Sequence, residues 1–417
     1  MNLHDFLDKS VTPYHSTRAA CDWLRDKGFL EVDTPQPQTP GKYFTVRGGK
    51  TVFAWGVPDG PQASAFHIVS AHTDFPSLKI KSEAFFSKMG CHFLAVHPYD
   101  GPNLASWMDR DLGIAGLAYF EEEGSVKPKL LEPPLRCRTL GVPTHMKANK
   151  SEPNAQTDLH CLFDTGEALT EEDFWQTLLA GTGQEGVPLE HDLCLYDSAT
   201  SSTFGKGDAF VSSARLDNLV SCFSAISALT SGDWSKGSSI PVVALFDAEE
   251  IGSGTWLGAK SPLFEKVLAG IAGGNYEAMI GRSAQISLDV AHALHPLSPD
   301  LFDSQDTPIV GSGPVAKYGI RGNYSYNSHL MAHLKMLAGA EEMNMQSFTY
   351  RADRGQGGSL GPHSSTALAV RSVDIGIPIF AMHSVREACS RADIDAATSL
   401  IGAFFKAVCP FENNLSD

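Results

Sequence analysis

Four apolar runs in the sequence end in residues whose side chains can bind a metal ion. The runs cover 65–71, 240–246, 285–290 and 377–382, and their length and composition are typical of buried β-strands. The metal-binding residue types in or directly after them are His72 and Asp74, Glu249 and Glu250, Asp289 and His292, and His383. Because ligands of open α/β sheets bind at the carboxyl ends of the strands, we expect these side chains to converge.

The residue types in this cluster favour zinc or a similar divalent ion. Asp217 adds a carboxylate at the start of a predicted helix. Together the histidines and carboxylates exceed the needs of one catalytic zinc and suit two ions, which share a bridging carboxylate and activate a water for attack on a carbonyl. Of the adjacent Glu249 and Glu250, one can bind metal while the other serves as general base. Asp74 is placed to hold the second ring nitrogen of His72.

Length, charge and composition favour a cytoplasmic enzyme. The chain has 417 residues, 42% of them hydrophobic, and a formal net charge of −16. This negative charge argues against nucleic acid or an anionic membrane as a partner. Residues 1–20 have no signal-peptide pattern, and no apolar stretch reaches the length of a membrane span. The eight cysteines are scattered without a Cys-x-x-Cys pair, so we expect reduced, mostly buried thiols.

Strand-like and helical patterns alternate in the first and last thirds of the chain. Helical periodicity appears near 17–28, 215–230 and 325–343, so these thirds predict an α/β domain with a central sheet. Between 84 and 212, proline-rich turns separate short strand-like pieces, which predicts a β-rich unit inserted into that domain. The predicted division is 1–83 and 213–417 for the α/β domain and 84–212 for the insert.

Several motifs, in their order and spacing, carry a resemblance to a known family. They read TPYH at 12–15, AHTDFPSLKIK at 71–81, ARLDNL at 214–219, FDAEEIGS at 246–253, DVAHA at 289–293, GPVAK at 313–317 and AMHSVRE at 381–387. Over nearly its whole length the chain resembles the aspartyl aminopeptidases, which are dinuclear zinc exopeptidases. The resemblance implies an enzyme that releases N-terminal Asp or Glu from peptides by attack of a metal-activated water.

The resemblance also implies a role for each site residue. Asp217 would bridge two zinc ions, which cobalt or manganese can replace. The remaining ligands would be Glu250 and His383 on one ion and His72 and Asp289 on the other, with Glu249 as the base. Substrate contacts would come from His292, Lys317 and Tyr324, and from a histidine of the insert that reaches a neighbouring subunit. His145 is the best match for this histidine, although the residues before it, VPT at 142–144, are less apolar than the family pattern.

The fold that the resemblance implies is a phosphorylase/hydrolase-like α/β zinc-peptidase domain with a central mixed sheet. The β-rich insert would be a dimerisation domain, and the dimers would assemble into a tetrahedral dodecamer. Lys317 would give the preference for acidic substrates, because a charge-assisted hydrogen bond in a partly dry pocket contributes about 1.5–3 kcal/mol. The alternative for Lys317 is a surface lysine that pairs with one of the many carboxylates of this acidic protein.

Other interpretations of the sequence remain open. His329 and His333 have the spacing of a His-Glu-x-x-His metal site, but position 330 is leucine, so solvent-facing histidines are favoured. The glycine-rich segment 355–362 lacks the Gly-Lys-Ser/Thr ending of a phosphate loop and is better interpreted as a loop lining the active site. A metal-dependent deacylase or a broader aminopeptidase would share the metal ions and differ in the pocket. A catalytically silent scaffold would have no reason to keep costly buried carboxylates.

Overall fold

Strands predominate between residues 30 and 213 and alternate with helices after residue 216, in a computed structural model that describes residues 1–37, 39–59, 62–146, 152–166, 169–234 and 237–411. The strands are β1 (Leu30–Glu31), β2 (Gly41–Arg47), β3 (Thr51–Val57), β4 (Ala65–His72), β5 (Ser77–Lys88), β6 (Cys91–Tyr99), β7 (Asp111–Glu122), β8 (Ser125–Leu131), β9 (Arg136–Thr139), β10 (Cys161–Thr165), β11 (Glu190–Asp197), β12 (Ser202–Phe204), β13 (Phe210–Ser213), β14 (Ser239–Phe246), β15 (Ala284–His292), β16 (Val315–Lys317), β17 (Gln346–Phe348), β18 (Arg371–Phe380) and β19 (Glu387–Ser390). The helices are α1 (Leu3–Lys9), α2 (Pro13–Asp26), α3 (Leu104–Trp107), α4 (Glu171–Leu179), α5 (Leu216–Ser231), α6 (Leu263–Ala272), α7 (Tyr276–Ile280), α8 (Ser328–Ala340), α9 (Gly361–Leu368) and α10 (Arg391–Lys406).

The four apolar runs of the sequence form four neighbouring strands at the centre of the large sheet. Their order across the sheet is β14-β4-β15-β18, and all three pairings are parallel. Antiparallel strands flank this group, with β3 beside β14 and β19 beside β18. The sheet is therefore mixed, as predicted, and the carboxyl ends of its central strands lie at one edge.

Alternate residues of the central strands pack into two apolar clusters on opposite faces of the sheet. In β14, Val243 and Leu245 join a cluster with residues of α2, α5, α8 and α10, whereas Val242 and Ala244 join one with residues of α6 and α7. Since successive side chains of a strand point to opposite faces, both faces are buried under helices. The predicted helices near 17–28, 215–230 and 325–343 correspond to α2, α5 and α8.

A second sheet forms a closed barrel from strands that lie between residues 77 and 197. Its strand order is β11-β5-β6-β10-β9-β7-β8, and β11 also pairs with β7, which closes the ring. The middle third is therefore rich in strands, as predicted, and the fold class of an α/β domain with a β-rich region is confirmed. The domain boundaries after 83 and 212 stay a prediction; β5 begins at Ser77 and continues to Lys88.

A partly buried ionic network joins the barrel to the α/β part. Asp192 of β11 accepts a hydrogen bond of 2.8 Å from the hydroxyl of Tyr14 in α2. It also forms an ion pair with Lys79 of β5. The ammonium of Lys50 lies 3.7 Å from the carboxylate of Asp192 and 2.8 Å from that of Asp247, which directly follows β14. These contacts fix the barrel relative to the strand end that carries Glu249 and Glu250.

All eight cysteines are free thiols, and all but Cys91 are buried, as predicted. No helix among the described residues combines the length and apolarity that a bilayer crossing requires.

Candidate active site

Five residues from five separate segments meet at the carboxyl edge of the central strands. His72 ends β4, Asp289 lies in β15, Asp217 is the second residue of α5, Glu250 follows β14 and His383 follows β18. The Nε2 atom of His72 lies 3.5 Å from a carboxylate oxygen of Asp217 and 3.5 Å from one of Asp289. The Nε2 atom of His383 lies 3.5 Å from Glu250. The tertiary structure therefore brings the predicted cluster together.

The carboxylate of Asp217 faces both halves of this cluster. Its Oδ1 atom lies 3.5 Å from the ring of His72, and its Oδ2 atom lies 3.7 Å from the ring of His383. One carboxylate with an oxygen directed to each half is the arrangement that a bridge between two cations requires.

The carboxylates of the cluster are buried close to one another, and this proximity disturbs their ionisation. Burial, reinforced by the charge of Asp289, raises the pKa of Asp217 to about 6. Burial also raises the pKa of Glu249 to about 8 and that of Glu250 well above its usual range. The carboxyl group of Asp289 differs: burial opposes its ionisation, but Lys317 and His72 outweigh burial and lower its pKa. Such a crowded set of acids needs additional positive charge to stay ionised.

Two buried oxygens of the cluster point to where such charge belongs. Oδ1 of Asp217 and Oε1 of Glu250 have no hydrogen-bond partner among the described residues. Ligand atoms of His72, Asp217 and Asp289 lie within 4.8 Å of one another, as do those of Asp100, Glu250 and His383. A mixed set of imidazole and carboxylate donors with orphaned oxygens fits divalent cations such as zinc.

Asp74 fastens the turn that carries the two glutamates. Its Oδ1 accepts the backbone N–H of Glu249 at 3.0 Å, and its Oδ2 accepts that of Glu250 at 3.2 Å and the hydroxyl of Tyr99 at 2.9 Å. The ring Nδ1 of His72 lies 3.0 Å from the backbone oxygen of Asp74 and 3.4 Å from its Oδ1. A carbonyl partner requires Nδ1 to carry the proton, which leaves Nε2 free to bind a cation.

Glu387, for which the sequence suggested no role, holds two of the clustered residues through their backbones. Its Oε2 accepts the N–H of Asp217 at 3.0 Å, and its Oε1 accepts the N–H of His383 at 2.9 Å. His383 has a φ of +65°, a left-handed conformation that a residue other than glycine adopts only when its surroundings enforce it. The acid that ends the motif AMHSVRE was the available signal; its partner His383 lies in the same motif, but its other partner, Asp217, is 170 residues away in the sequence.

The barrel supplies another residue beside the cluster that the sequence did not single out. Asp100 follows β6, and its carboxylate lies 3.5 Å from Nδ1 of His383. The same ring nitrogen lies 3.2 Å from the backbone oxygen of Gly101. The orientation of His383 therefore depends on the barrel as well as on the α/β part.

A cavity of about 730 Å³ opens over the cluster. Residues predicted to contact substrate, His292, Lys317 and Tyr324, line it together with the cluster itself. The glycine-rich segment contributes Gly355, Gly357, Gly358, Ser359 and Pro362 to the wall, so its interpretation as a loop lining the site is confirmed.

Lys317 is a buried cation in this cavity, not a surface lysine. Its ammonium lies 3.2 Å from Oδ2 of Asp289 and 4.8 Å from the centre of the Tyr324 ring. Burial alone would lower the pKa of Lys317, but the charges of Asp289 and Asp374 raise it. The neighbouring His292 has its pKa lowered by burial to about 4, so its ring is neutral near pH 7.

Two histidine predictions concern residues outside this cavity. His145 lies on a single turn, Thr144–Met146, exposed on the barrel and outside the cavity lining within its own chain. On α8, His329 is exposed, whereas His333 is half-buried with its Nε2 enclosed. None of these three histidines belongs to a group of possible metal ligands among the described residues.

An α/β fold with a cavity over clustered imidazoles and carboxylates is typical of metal-dependent hydrolases. The family model for the aminopeptidase I zinc metalloproteases (M18) matches residues 6–405. The chain therefore belongs to the M18 family of zinc aminopeptidases, and the expectation of a zinc-dependent exopeptidase is confirmed at the level of the family.

Individual relatives agree with this membership. The chain is similar to the probable M18 family aminopeptidase 2 of Pseudomonas fluorescens (strain SBW25), with 33% identity over 418 residues and 97% of each chain covered. It superposes on a chain from the Ape4 and Nbr1 complex with a TM-score of 0.92 and 29% identity, covering 99% of this chain and 86% of that one. The Thermotoga maritima M18 aminopeptidase shares the fold at a TM-score of 0.85 and 20% identity, covering 96% of this chain and 94% of that one.

We predict that Tyr99→Phe weakens the attachment of the Glu249–Glu250 turn. The change removes only the hydroxyl that donates to the buried Asp74, and a hydrogen bond to a charged group contributes about 1.5–3 kcal/mol. The free energy of unfolding should fall by that amount, and aminopeptidase turnover should fall with it. Tyr43→Phe, which removes a hydroxyl bonded to the carbonyl of Pro40 at the surface, is the control. Equal effects of the two changes on unfolding and turnover would contradict the role of Tyr99.

Proposed function

We propose that this M18 aminopeptidase preferentially releases N-terminal Asp or Glu from peptides. The observation that carries the proposal is the buried ammonium of Lys317, which lines the cavity beside the carboxylate and imidazole cluster. An acidic side chain in a buried pocket needs a cation, and Lys317 is in a position to supply it. The resemblance to the aspartyl aminopeptidases supports the same substrate class.

The five clustered residues would hold two divalent ions, and zinc is the ion we propose. Asp217 would bridge them, with His72 and Asp289 on one side and Glu250 and His383 on the other. The distances from Asp217 to both histidines support this division. When bound, such ions lower the pKa of a shared water and polarise the substrate carbonyl.

Glu249 is the residue we assign as general base. Its Oε2 lies 3.8 Å from Nε2 of His72, and its side chain keeps 15% of its surface exposed to the cavity. Glu250, by comparison, turns toward His383 and is more deeply buried. The Glu249 carboxylate would accept a proton from the attacking water and deliver it to the leaving amine. Asp74 would keep the two glutamates apart by holding both backbone N–H groups.

Three further residues would orient the substrate. Lys317 would bind the acidic side chain, with the ring of Tyr324 packed beneath its ammonium. His292, which is neutral near pH 7, would offer a hydrogen bond near the scissile carbonyl without competing with Lys317 for the carboxylate. The hydroxyl of Tyr324 donates to that of Tyr350 at 3.1 Å, which fixes the ring.

The assembly we propose is a homo-oligomer in which the barrel mediates dimerisation and the dimers form a dodecamer. A solved relative, the S. cerevisiae mApe1 dodecamer, shares the fold with a TM-score of 0.84 and 23% identity, covering 99% of this chain and 98% of that one. The exposed position of His145 on the barrel is compatible with a contact to another subunit's site. A cytoplasmic location stays a prediction.

We expect Glu249→Gln to abolish turnover and to leave the metal content of the purified protein near that of the wild type. The amide keeps the shape of the side chain but cannot accept the proton. Elemental analysis beside a turnover assay separates the two effects, and a chelator should remove activity from the wild type. A large loss of metal in Glu249→Gln would show that the roles of Glu249 and Glu250 are exchanged.

Lys317→Ala should reduce kcat/KM for peptides that begin with Asp or Glu by about tenfold or more, since the lost charge-assisted bond contributes about 1.5–3 kcal/mol. Peptides that begin with Leu should be affected far less. A profile over all N-terminal residues, run on both proteins, measures the difference. An equal loss of kcat/KM for all peptides would mean that Lys317 acts through Asp289. A wild-type enzyme that cleaves acidic and neutral N-terminal residues equally well would favour an aminopeptidase of broader specificity.

Light scattering on the eluting peak of a sizing column should give a mass twelve times that of the chain, if the dodecamer is correct. His145→Ala should then lower activity without changing this mass, because the proposed role of His145 lies at a neighbouring site. A monomeric mass with full activity would contradict both the assembly and the role of His145.

A further inference from the structure

A buried carboxylate that takes no part in the cluster lies beneath the wall of the cavity. Asp374 of β18 is fully buried, and its oxygens accept hydrogen bonds from three serines. Ser287 donates its hydroxyl to Oδ1 at 2.7 Å, Ser325 donates its backbone N–H to Oδ2 at 2.5 Å, and Ser359 donates its hydroxyl to Oδ1. Burial raises the pKa of this carboxyl group, and Lys317 and the serine hydroxyls oppose that rise.

The three serines belong to different parts of the molecule. Ser287 lies in β15, which pairs with β18 over its whole length, so it is part of the rigid sheet. Ser325 lies in the segment between β16 and α8, and Ser359 lies in the glycine-rich segment, two residues before α9 begins. Asp374 therefore ties two irregular segments to the sheet.

Both irregular segments form walls of the cavity directly beside the serine that anchors them. Tyr324 precedes Ser325 and lines the cavity, and Gly357 and Gly358 precede Ser359 and line it together with Ser359 itself. Gly361 packs so closely that an added Cβ would lie 2.4 Å from Oδ2 of Asp374. A segment rich in glycine gains little rigidity from its own sequence, so its position depends on such anchors.

Asp374 also faces the cation of the cavity. Lys317 of β16 pairs with Asp374 across antiparallel strands, and the charge of Asp374 raises the pKa of Lys317. Gly376, two residues further along β18, lets the lysine side chain pass, because an added Cβ there would lie 3.0 Å from its Cε. The same strand thus positions the ammonium and the wall around it.

We propose that Asp374 is a positioning residue for the substrate pocket: it holds the glycine-rich loop and the Tyr324 segment in place around Lys317. It touches neither the metal-binding cluster nor the cavity itself. This inference rests on the proposed function insofar as the cavity is the pocket for the N-terminal residue of the peptide. It predicts an effect on substrate binding and not on the chemical step.

The test compares Asp374→Asn and Ser359→Ala with Ser287→Ala in kcat and KM. The amide of Asp374→Asn directs a donor at groups that are themselves donors, and Ser359→Ala deletes the hydroxyl that anchors the loop. Both should raise KM about tenfold, the equivalent of one lost hydrogen bond, with kcat near that of the wild type. Ser287→Ala removes a hydroxyl from the same carboxylate oxygen but leaves both wall segments anchored, so its KM should not change.

The outcomes separate positioning from a merely structural role. If Asp374 only stabilised the fold, its loss would reduce the amount of active enzyme, so apparent kcat would fall at constant KM and Ser287→Ala would behave like Ser359→Ala. Either result would overturn the proposal. If Asp374→Asn fails to fold, Ser359→Ala against Ser287→Ala still decides. Each variant is assayed on the peptide that the wild type hydrolyses best, so a wild type without acidic preference refutes the proposed specificity and leaves this test intact.

Discussion

The mutual repulsion of buried carboxylates at the carboxyl edge of the sheet is the constraint on which the rest of this structure depends. Asp217, Glu249 and Glu250 all have raised pKa values because burial and neighbouring acids oppose their ionisation. A folded protein tolerates such a group only when positive charge compensates it. The buried ammonium of Lys317 and the zinc of an M18 enzyme answer that requirement.

Other buried acids in the molecule anchor the backbone: they accept hydrogen bonds from N–H groups of irregular segments. Asp74 holds the turn of Glu249 and Glu250, Glu387 holds Asp217 and His383, and Asp374 holds Ser325. A carboxylate that accepts several hydrogen bonds is held in one position, so it also fixes the backbone segments whose N–H groups donate to it. Around this site the loops are ordered by anchors of this kind rather than by regular secondary structure.

The barrel forms a separate sheet and also contributes residues to the candidate active site. Tyr99 reaches Asp74 and Asp100 reaches His383, while Asp192 joins Tyr14 and Lys50 in the α/β part. A shift of the barrel would therefore move the groups that orient the candidate metal ligands. The insert and the α/β part therefore contribute residues to the same candidate site, although most of the clustered residues come from the α/β part.

The sequence alone determined the four central strands, three of the helices beside them and the residues at the ends of those strands. Apolar runs and periodicity are local properties, and parallel strands bring their carboxyl ends together, so the cluster of His72, Asp289 and their partners was predictable. Only the tertiary structure decided that Lys317 is buried, that Glu387 and Asp374 serve as anchors, and that His145 lies outside the cavity of its own chain. The physical reason is that hydrogen bonds between residues distant in the sequence leave no pattern in either segment that makes them.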